Sequence, residues 1–94
     1  MSRLERLIAQ AIRQGRWAVS SHADDRMNER DIEAWQMANG FDEGATVEID
    51  PTARPNPKLL RREMLADGTS VIVVWAYEQK YRTAKLVTVY FEQA

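Results

Sequence analysis

The chain has 94 residues, 45% of them apolar, with 14 acidic and 13 basic side chains, one histidine and a formal net charge of −1. A chain of this length buries one hydrophobic core, so we expect a single domain over residues 1–94. The absence of cysteine excludes disulfides and thiolate metal sites, and the nearly balanced charge disfavours a protein that coats nucleic acid by bulk electrostatics. We expect no metal and no cofactor.

The first segment, SRLERLIAQAIRQG, predicts a helix over residues 3–14. Apolar residues recur at helical spacing from Leu4 to Ile12, with Ser2 available as the N-cap and Gly15 as the stop. Charged residues interrupt this segment every few positions, so it resembles neither a secretory leader nor a membrane span. We therefore expect a cytoplasmic protein that does not contact membranes.

Two further helices are predicted in the first half of the chain. The short stretch RWAVS alternates like an extended segment. After it, either Ser20 or Ser21 can cap a helix over residues 21–29. Asp31 has the character of a cap for a third helix that ends at Asn39-Gly40.

The remainder of the chain predicts strands. ATVEID alternates, PTARPNP contains too many prolines for regular structure, and KLLRREML and TSVIVVWAY flank a hairpin turn at Asp67-Gly68. The continuous apolar run VIVVW is typical of a central strand that is covered on both faces. The order of helices followed by strands predicts the α+β class, with N-terminal helices packed on an antiparallel sheet of about four strands.

The last strand, AKLVTVYFE, is predicted to alternate between two faces. Period-two alternation places Val87, Val89 and Phe91 on one face, and Leu86, Thr88 and Tyr90 on the other. The predicted core draws on the helices and on the central and last strands, and includes Leu7, Ile12, Met27, Ile32, Trp35, Val73, Val87 and Val89.

The single histidine, His22, is the candidate for proton transfer because imidazole titrates near neutral pH. In a helix, Arg26 lies about 6 Å further along the same face, and its planar guanidinium suits phosphate oxygens. The alternative is that His22 faces solvent and that Arg26 forms a surface ion pair with a neighbouring acid. Arg30, one turn further on, either extends this row or is simply solvated.

Thr88 and Tyr90 supply hydroxyl groups that can hydrogen-bond a phosphoryl oxygen, although strands also favour both residues for packing. Several basic residues in or beside the predicted strands also have a functional and a structural interpretation. They position a phosphate, or they keep a strand edge from pairing with another chain. These candidates for substrate binding, beside Arg30, are Arg61, Arg62, Arg82 and Lys85.

These residues resemble a bacterial family known as domain of unknown function 4258. Its pattern is Ser-x-His-x-x-x-Arg-Met-x-x-Arg-x-Ile, followed near the end of the chain by a threonine-valine-tyrosine strand. The matching positions here are Ser20, His22, Arg26, Met27, Arg30, Ile32, Thr88, Val89 and Tyr90. The usual glycine before the isoleucine is replaced by Asp31, so we expect an altered turn between the second and third helices.

The resemblance implies a RelE-like fold, related to the barnase-, EndoU- and colicin-type ribonucleases, with an RNA-cleaving site between the second helix and the last strand. It implies that His22 acts as general base or acid, that Arg26 stabilises the phosphoryl oxygens, and that Tyr90, with Thr88, protonates the leaving group or orients the phosphate. The corresponding hypothesis is a metal-independent toxin-type endoribonuclease, whose partners are RNA and an antitoxin protein. The alternative is a non-catalytic protein-interaction module with the same fold. The oligomeric state is left open by the sequence.

Overall fold

The computed structural model describes residues 1–92 and contains three helices and five strands within them. The helices are α1 (Arg3–Arg13), α2 (Ser21–Glu29) and α3 (Ala34–Asn39). The strands are β1 (Trp17–Val19), β2 (Ala45–Asp50), β3 (Lys58–Met64), β4 (Ser70–Glu78) and β5 (Thr83–Phe91). None of the helices among these residues has the length and apolar composition that are needed to cross a bilayer.

The five strands form one mixed sheet in the order β1-β5-β4-β3-β2. The four long strands pair antiparallel, and the three-residue β1 adds parallel to β5. The α+β class is therefore confirmed, and the predicted count of about four strands omitted β1. A three-residue strand is too short for an alternating pattern to identify it as a member of a sheet.

Helix α1 begins and ends as its sequence predicts. The Ser2 hydroxyl accepts from the Glu5 backbone N–H (3.1 Å), and the Glu5 carboxylate accepts from the Ser2 backbone N–H (2.7 Å), which forms a capping box. Gly15 follows the helix with φ +73, a conformation that costs glycine little. The stripe containing Leu4 and Ile8 is buried against the sheet.

All three helices pack on one face of the sheet. Alternate residues of the central strand β4, from Val71 to Tyr77, join the helices in a single core together with Leu59 of β3. The intervening β4 residues Ile72, Val74 and Ala76 lie on the opposite face, where each is at most 7% exposed although they are not part of this core. The prediction of a central strand is confirmed. Both faces of β4 are buried, but the helices cover only one of them.

The predicted hairpin at Asp67-Gly68 joins β3 to β4. Gly68 has φ +88, and the Asp67 carboxylate accepts from the Thr69 backbone N–H (2.9 Å). The ladder closes immediately before and after this turn, where Met64 pairs with Ser70.

Strand β5 contains a bulge that alters its predicted faces. Thr88 pairs with Val74 and Leu86 pairs with Trp75, which leaves Val87 without a partner in the ladder. One unpaired residue shifts the alternation by one position, so Leu86 and Val89 lie in the same helix-covered core. The predicted grouping of Leu86 with the Thr88 face was therefore wrong, and Val87 is only half-buried.

The turn between α2 and α3 also differs from its prediction. Asp31 is not the cap of the third helix but has a left-handed backbone with φ +55, and Glu33 is the N-cap. With α3 starting at Ala34, Met37 and Ala38 face the core, and Trp35 is 56% exposed. The prediction that Trp35 is buried was wrong for this reason.

The remaining predicted core residues divide into two groups. Met27, Ile32, Val73 and Val89 are buried as predicted. Leu7 and Ile12 are half-buried against the edge of the core.

Candidate active site

The start of α2 is fixed to β5 by Ser20. Its hydroxyl accepts from the Ala23 backbone N–H (3.0 Å), which caps the helix, and donates to the Val87 carbonyl (2.7 Å). The Ser20 backbone N–H donates to the Leu86 carbonyl (3.0 Å). One residue thus joins the first turn of α2 to the bulge of β5, two positions before His22.

One face of α2 packs into the core, and the rest of the helix surface is exposed. Ala23 and Met27 are buried in the core, whereas His22 and Arg26 are exposed on the rest of the helix surface. The helix spans both residues, so the predicted spacing of about 6 Å along its axis applies.

A cleft of about 50 Å³ lies between the C-terminal half of α2 and the end of β5. It brings together three of the predicted site residues, Arg26, Arg30 and Tyr90, from elements that are far apart in the sequence. Its remaining lining residues are Glu29, Ile32, Val89 and Phe91.

The two arginines of the cleft are held differently. Arg26 forms an ion pair with Glu29 at 4.0 Å, and both side chains are at least half exposed, so this contact contributes less than about 1 kcal/mol and leaves Arg26 available to a ligand. The Arg30 guanidinium carbon lies 4.6 Å from the centre of the Phe91 ring, in a cation–π contact. This contact holds the Arg30 side chain against the end of β5.

His22 and Thr88 do not line this cleft. Thr88 pairs with Val74 on the sheet face that the helices leave uncovered, so the prediction that the Thr88 face turns toward α2 was wrong. Its physical cause is the bulge at Val87, which directs Val89 rather than Thr88 into the helix-covered core. Tyr90 pairs with Ile72 and therefore lies on the same uncovered face as Thr88, so the register does not turn its side chain toward α2 either. It borders the cleft at the edge of β5, beyond the part of the strand that β1 covers.

Arg61 is a structural residue, contrary to the prediction that it binds substrate. It is 4% exposed, and its guanidinium donates to the Phe41 carbonyl (2.9 Å), the Thr46 hydroxyl (2.8 Å) and the Glu5 carboxylate (3.3 Å). It also stacks over the Phe41 ring at 4.3 Å. These contacts join α1, β2 and β3, and they leave no surface of Arg61 for RNA.

Arg62 is exposed but engaged. It donates twice to the Glu92 carboxylate, at 2.7 and 2.8 Å, and the Ser70 hydroxyl donates to the same carboxylate at 2.8 Å. Donation by Arg62 and Ser70 lowers the pKa of Glu92 to about 2. Arg62 pairs in the ladder with Ile72, on the face away from the helices.

Arg82 and Lys85 lie at the other end of β5. Arg82, with φ +51, precedes the strand, and its carbonyl accepts from the Arg16 guanidinium. Since Tyr90 is eight residues further along, about 26 Å of strand separates Arg82 from the cleft. Lys85 is half-buried and pairs with Ala76 on the uncovered face. The structure therefore does not gather the predicted substrate-binding cations into one site.

Phe91 and Glu29 line the cleft but were not predicted as site residues. The contact between Arg30 and Phe91 joins residues 61 positions apart, and no local pattern connects them. Ser20 had a local signal as a helix cap, but its bond to Val87 depends on the bulge. Residues 1–92 contain no cluster of three or more histidine, cysteine or carboxylate side chains placed to hold a metal ion.

Comparison with known proteins identifies the family. Residues 19–91 of the 94-residue chain match the family described as Domain of unknown function (DUF4258). The match covers α2, α3 and the four strands β2 to β5, and begins at the last residue of β1; the chain belongs to this family. No curated protein and no solved structure matches the chain significantly.

Proposed function

We propose that this DUF4258 domain is a metal-independent endoribonuclease of the bacterial toxin type, with a RelE-like fold. The observation that carries the proposal is the convergence of Arg26, Arg30 and Tyr90 on one cleft beside the helix that bears His22. Two guanidinium groups are the donors that a phosphodiester requires as its charge increases, and the Tyr90 phenol joins them in the proposal by reaching around the edge of β5.

The proposed reaction is an intramolecular transesterification. The ribose 2′-hydroxyl loses its proton to His22 and forms a bond to the adjacent phosphorus, while the bond from phosphorus to the 5′-oxygen breaks. Arg26 stabilises the charge on the non-bridging oxygens, and the Tyr90 hydroxyl donates a proton to the departing 5′-oxygen. The products are a 2′,3′-cyclic phosphate and a 5′-hydroxyl. The His22 imidazolium and the Tyr90 phenolate then exchange protons with water.

The charge of the chain bears on how RNA is selected. With a formal net charge of −1, the protein has no general attraction for polyanions, and α2 itself exposes Asp24, Asp25 and Glu29. Binding must therefore come from local contacts at the cleft, which favours a restricted set of RNA targets. As a toxin, the enzyme would be held inactive by an antitoxin protein that covers the cleft.

The test is cleavage of mixed cellular RNA by the purified protein in excess EDTA. We expect cleavage by the wild type, loss of cleavage in His22→Ala, and a large reduction in Arg26→Lys, because a point charge does not replace the guanidinium fork at a phosphate. Asn28→Ala, also exposed on α2, is the matched control and should retain activity. All variants should melt near the wild-type temperature, since exposed positions contribute little to packing. Strict dependence on added magnesium or manganese would contradict the proposed roles.

The second candidate function, a non-catalytic interaction module, is favoured by the free edge of the sheet. Strand β2 is at this edge, and it exposes Val47 (42%) and Ile49 (38%). An apolar strand edge is a surface on which a partner strand can add. If the wild type neither cleaves RNA nor slows the growth of an expressing host, and Val47→Lys abolishes binding to a co-purifying protein, this second function replaces the first.

A further inference from the structure

The contact between Arg30 and Phe91 sets the orientation of a guanidinium at the cleft. Arg30 follows the last turn of α2 as its C-cap and is exposed, while Phe91 ends β5 and is half-buried against the core. At 4.6 Å from the ring centre, one side of the Arg30 guanidinium is occupied by Phe91. The ion pairs formed among residues 1–92 do not include Arg30, so no carboxylate there competes for it.

A guanidinium that is held over an aromatic ring offers two further surfaces. Its second side is a flat cation on which a nucleobase can stack, and its N–H edge can donate to a phosphate. Arg26, one turn earlier on α2, lines the same cleft and offers a second donor to that phosphate. Stacking of a base requires no particular base identity, since every base has a π face.

The neighbouring groups limit how a nucleotide can enter. Glu29 lines the cleft and pairs with Arg26, so a phosphate must replace that carboxylate as the partner of Arg26. The cleft of about 50 Å³ has no room for a base in its interior. A base must therefore lie at the mouth, where Arg30 is exposed.

Resting on the proposed ribonuclease function, we propose that the cleft selects single-stranded RNA by stacking an unpaired base on the Arg30 guanidinium next to the bound phosphate. In a duplex the bases are paired and stacked on one another, so none of them is free to lie on Arg30. Arg30 is then a substrate-binding residue that distinguishes single-stranded from duplex RNA, and Phe91 is the positioning residue that holds its guanidinium at the cleft.

The experiment uses probes that cannot be cleaved, so that binding is measured separately from catalysis. The first probe is a 12-nucleotide single-stranded RNA with 2′-fluoro riboses, and the second is its duplex. The third is an abasic oligomer of equal length that retains the phosphates. Fluorescence anisotropy gives the dissociation constants. We expect the single strand to bind at least about tenfold more tightly than the duplex or the abasic oligomer.

Arg30→Lys keeps the positive charge and removes the planar guanidinium group on which a base can stack. It should weaken binding of the single strand by about tenfold and leave binding of the abasic oligomer unchanged. Phe91→Leu, which removes the ring under Arg30, should have the same selective effect. Arg3→Lys, an equivalent exchange at an exposed position on α1, is the matched control and should change neither.

The outcomes separate the two proposals. Equal binding of single strand and duplex, or an equal loss of abasic binding in Arg30→Lys, overturns base stacking even if natural RNA is cleaved. Single-strand-selective binding that depends on Arg30, without cleavage of natural RNA, supports stacking and overturns the ribonuclease.

Discussion

At the scale of single residues, Asp31 shows why a position in this chain favours glycine. The Ile32 backbone N–H donates to the Met27 carbonyl (2.9 Å), and the Asp31 backbone N–H lies 3.4 Å from the Asn28 carbonyl. These are the two bonds of a Schellman ending of α2, with the buried Met27 and Ile32 as its apolar pair. The residue between them must have a left-handed backbone, and Asp31 has φ +55. The motif is kept with an aspartate at a position whose left-handed backbone favours glycine.

We predict that Asp31→Gly stabilises the domain by up to about 1 kcal/mol, because glycine adopts this conformation without the clash of a Cβ atom. Asp31→Ala should destabilise it by about 1 kcal/mol, since alanine keeps the Cβ atom and loses the tolerance of aspartate for the left-handed region. Urea unfolding of the two variants measures both effects. Identical free energies of unfolding for them would show that the backbone conformation at this position does not limit stability.

At the scale of elements, the sequence predicts those features that have local causes. The N-cap of α1 at Ser2, the start of α2 and the turn at Asp67-Gly68 each follow from side chains within a few residues, and each is confirmed. The faces of β5 were predicted wrongly because one unpaired residue, Val87, reverses the parity of a strand whose pattern otherwise alternates without interruption. The cleft formed by Arg26, Arg30 and Tyr90 requires that α2 follow the short parallel strand β1, which no local pattern specifies.

The attachment of α2 to the β5 bulge can be tested at Ser20. Ser20→Ala removes both the cap and the bond to Val87, and should lower the free energy of unfolding by about 1–2 kcal/mol. Ser20→Thr keeps both bonds and should remain within about 0.5 kcal/mol of the wild type. Chemical denaturation gives these values.

The role of the strand bond is isolated by a third variant and a second measurement. Ser20→Asp keeps the helix cap but has no donor for the Val87 carbonyl, so it should fall between the other two variants. The NMR signals of the imidazole ring report on the start of α2 without ambiguity, because His22 is the only histidine. They should shift in the alanine and aspartate variants and not in Ser20→Thr. If all three variants are equally stable, Ser20 does not join the two elements.

At the scale of the whole molecule, two charged residues of β3 lie inside the layer between the sheet and the helices. Arg61 and Glu63 are on the same face of the strand as the fully buried Leu59, and both are at most 4% exposed. The sequence contained this signal, since positions 59, 61 and 63 share one face of an alternating strand. Arg61 and Glu63 were nevertheless not predicted in the core, because arginine and glutamate are rarely buried. Arg61 is satisfied by the contacts described above, whereas Glu63 is not.

The pH dependence of folding is predicted to depend on Glu63. Its Oε2 accepts from the Trp75 indole N–H (3.2 Å), its Oε1 has no hydrogen-bond partner within residues 1–92, and a Cβ atom on Gly40 would lie 2.8 Å from that oxygen. Burial raises the pKa of Glu63 from 4.5 to about 8, against the opposing effects of Trp75 and Arg61. The folded state therefore holds a proton that the unfolded state releases, so this contribution to stability is complete below about pH 4.5 and is lost as the pH rises to about 8.

We predict that the free energy of unfolding of the wild type falls between pH 5 and pH 8, with Glu63 contributing at most about 1.4 kcal/mol per pH unit. Glu63→Gln is neutral at every pH and removes this contribution, so the variant should gain on the wild type steadily as the pH rises. Glu5, Asp67 and Glu92 have lowered pKa values and lose their contributions as the pH falls, in the direction opposite to Glu63. Urea unfolding of both proteins at pH 5, 6, 7 and 8 measures the difference, in which all groups other than Glu63 cancel. Parallel pH profiles would mean that Glu63 is already ionised in the folded protein, and that Arg61 rather than a bound proton balances its charge.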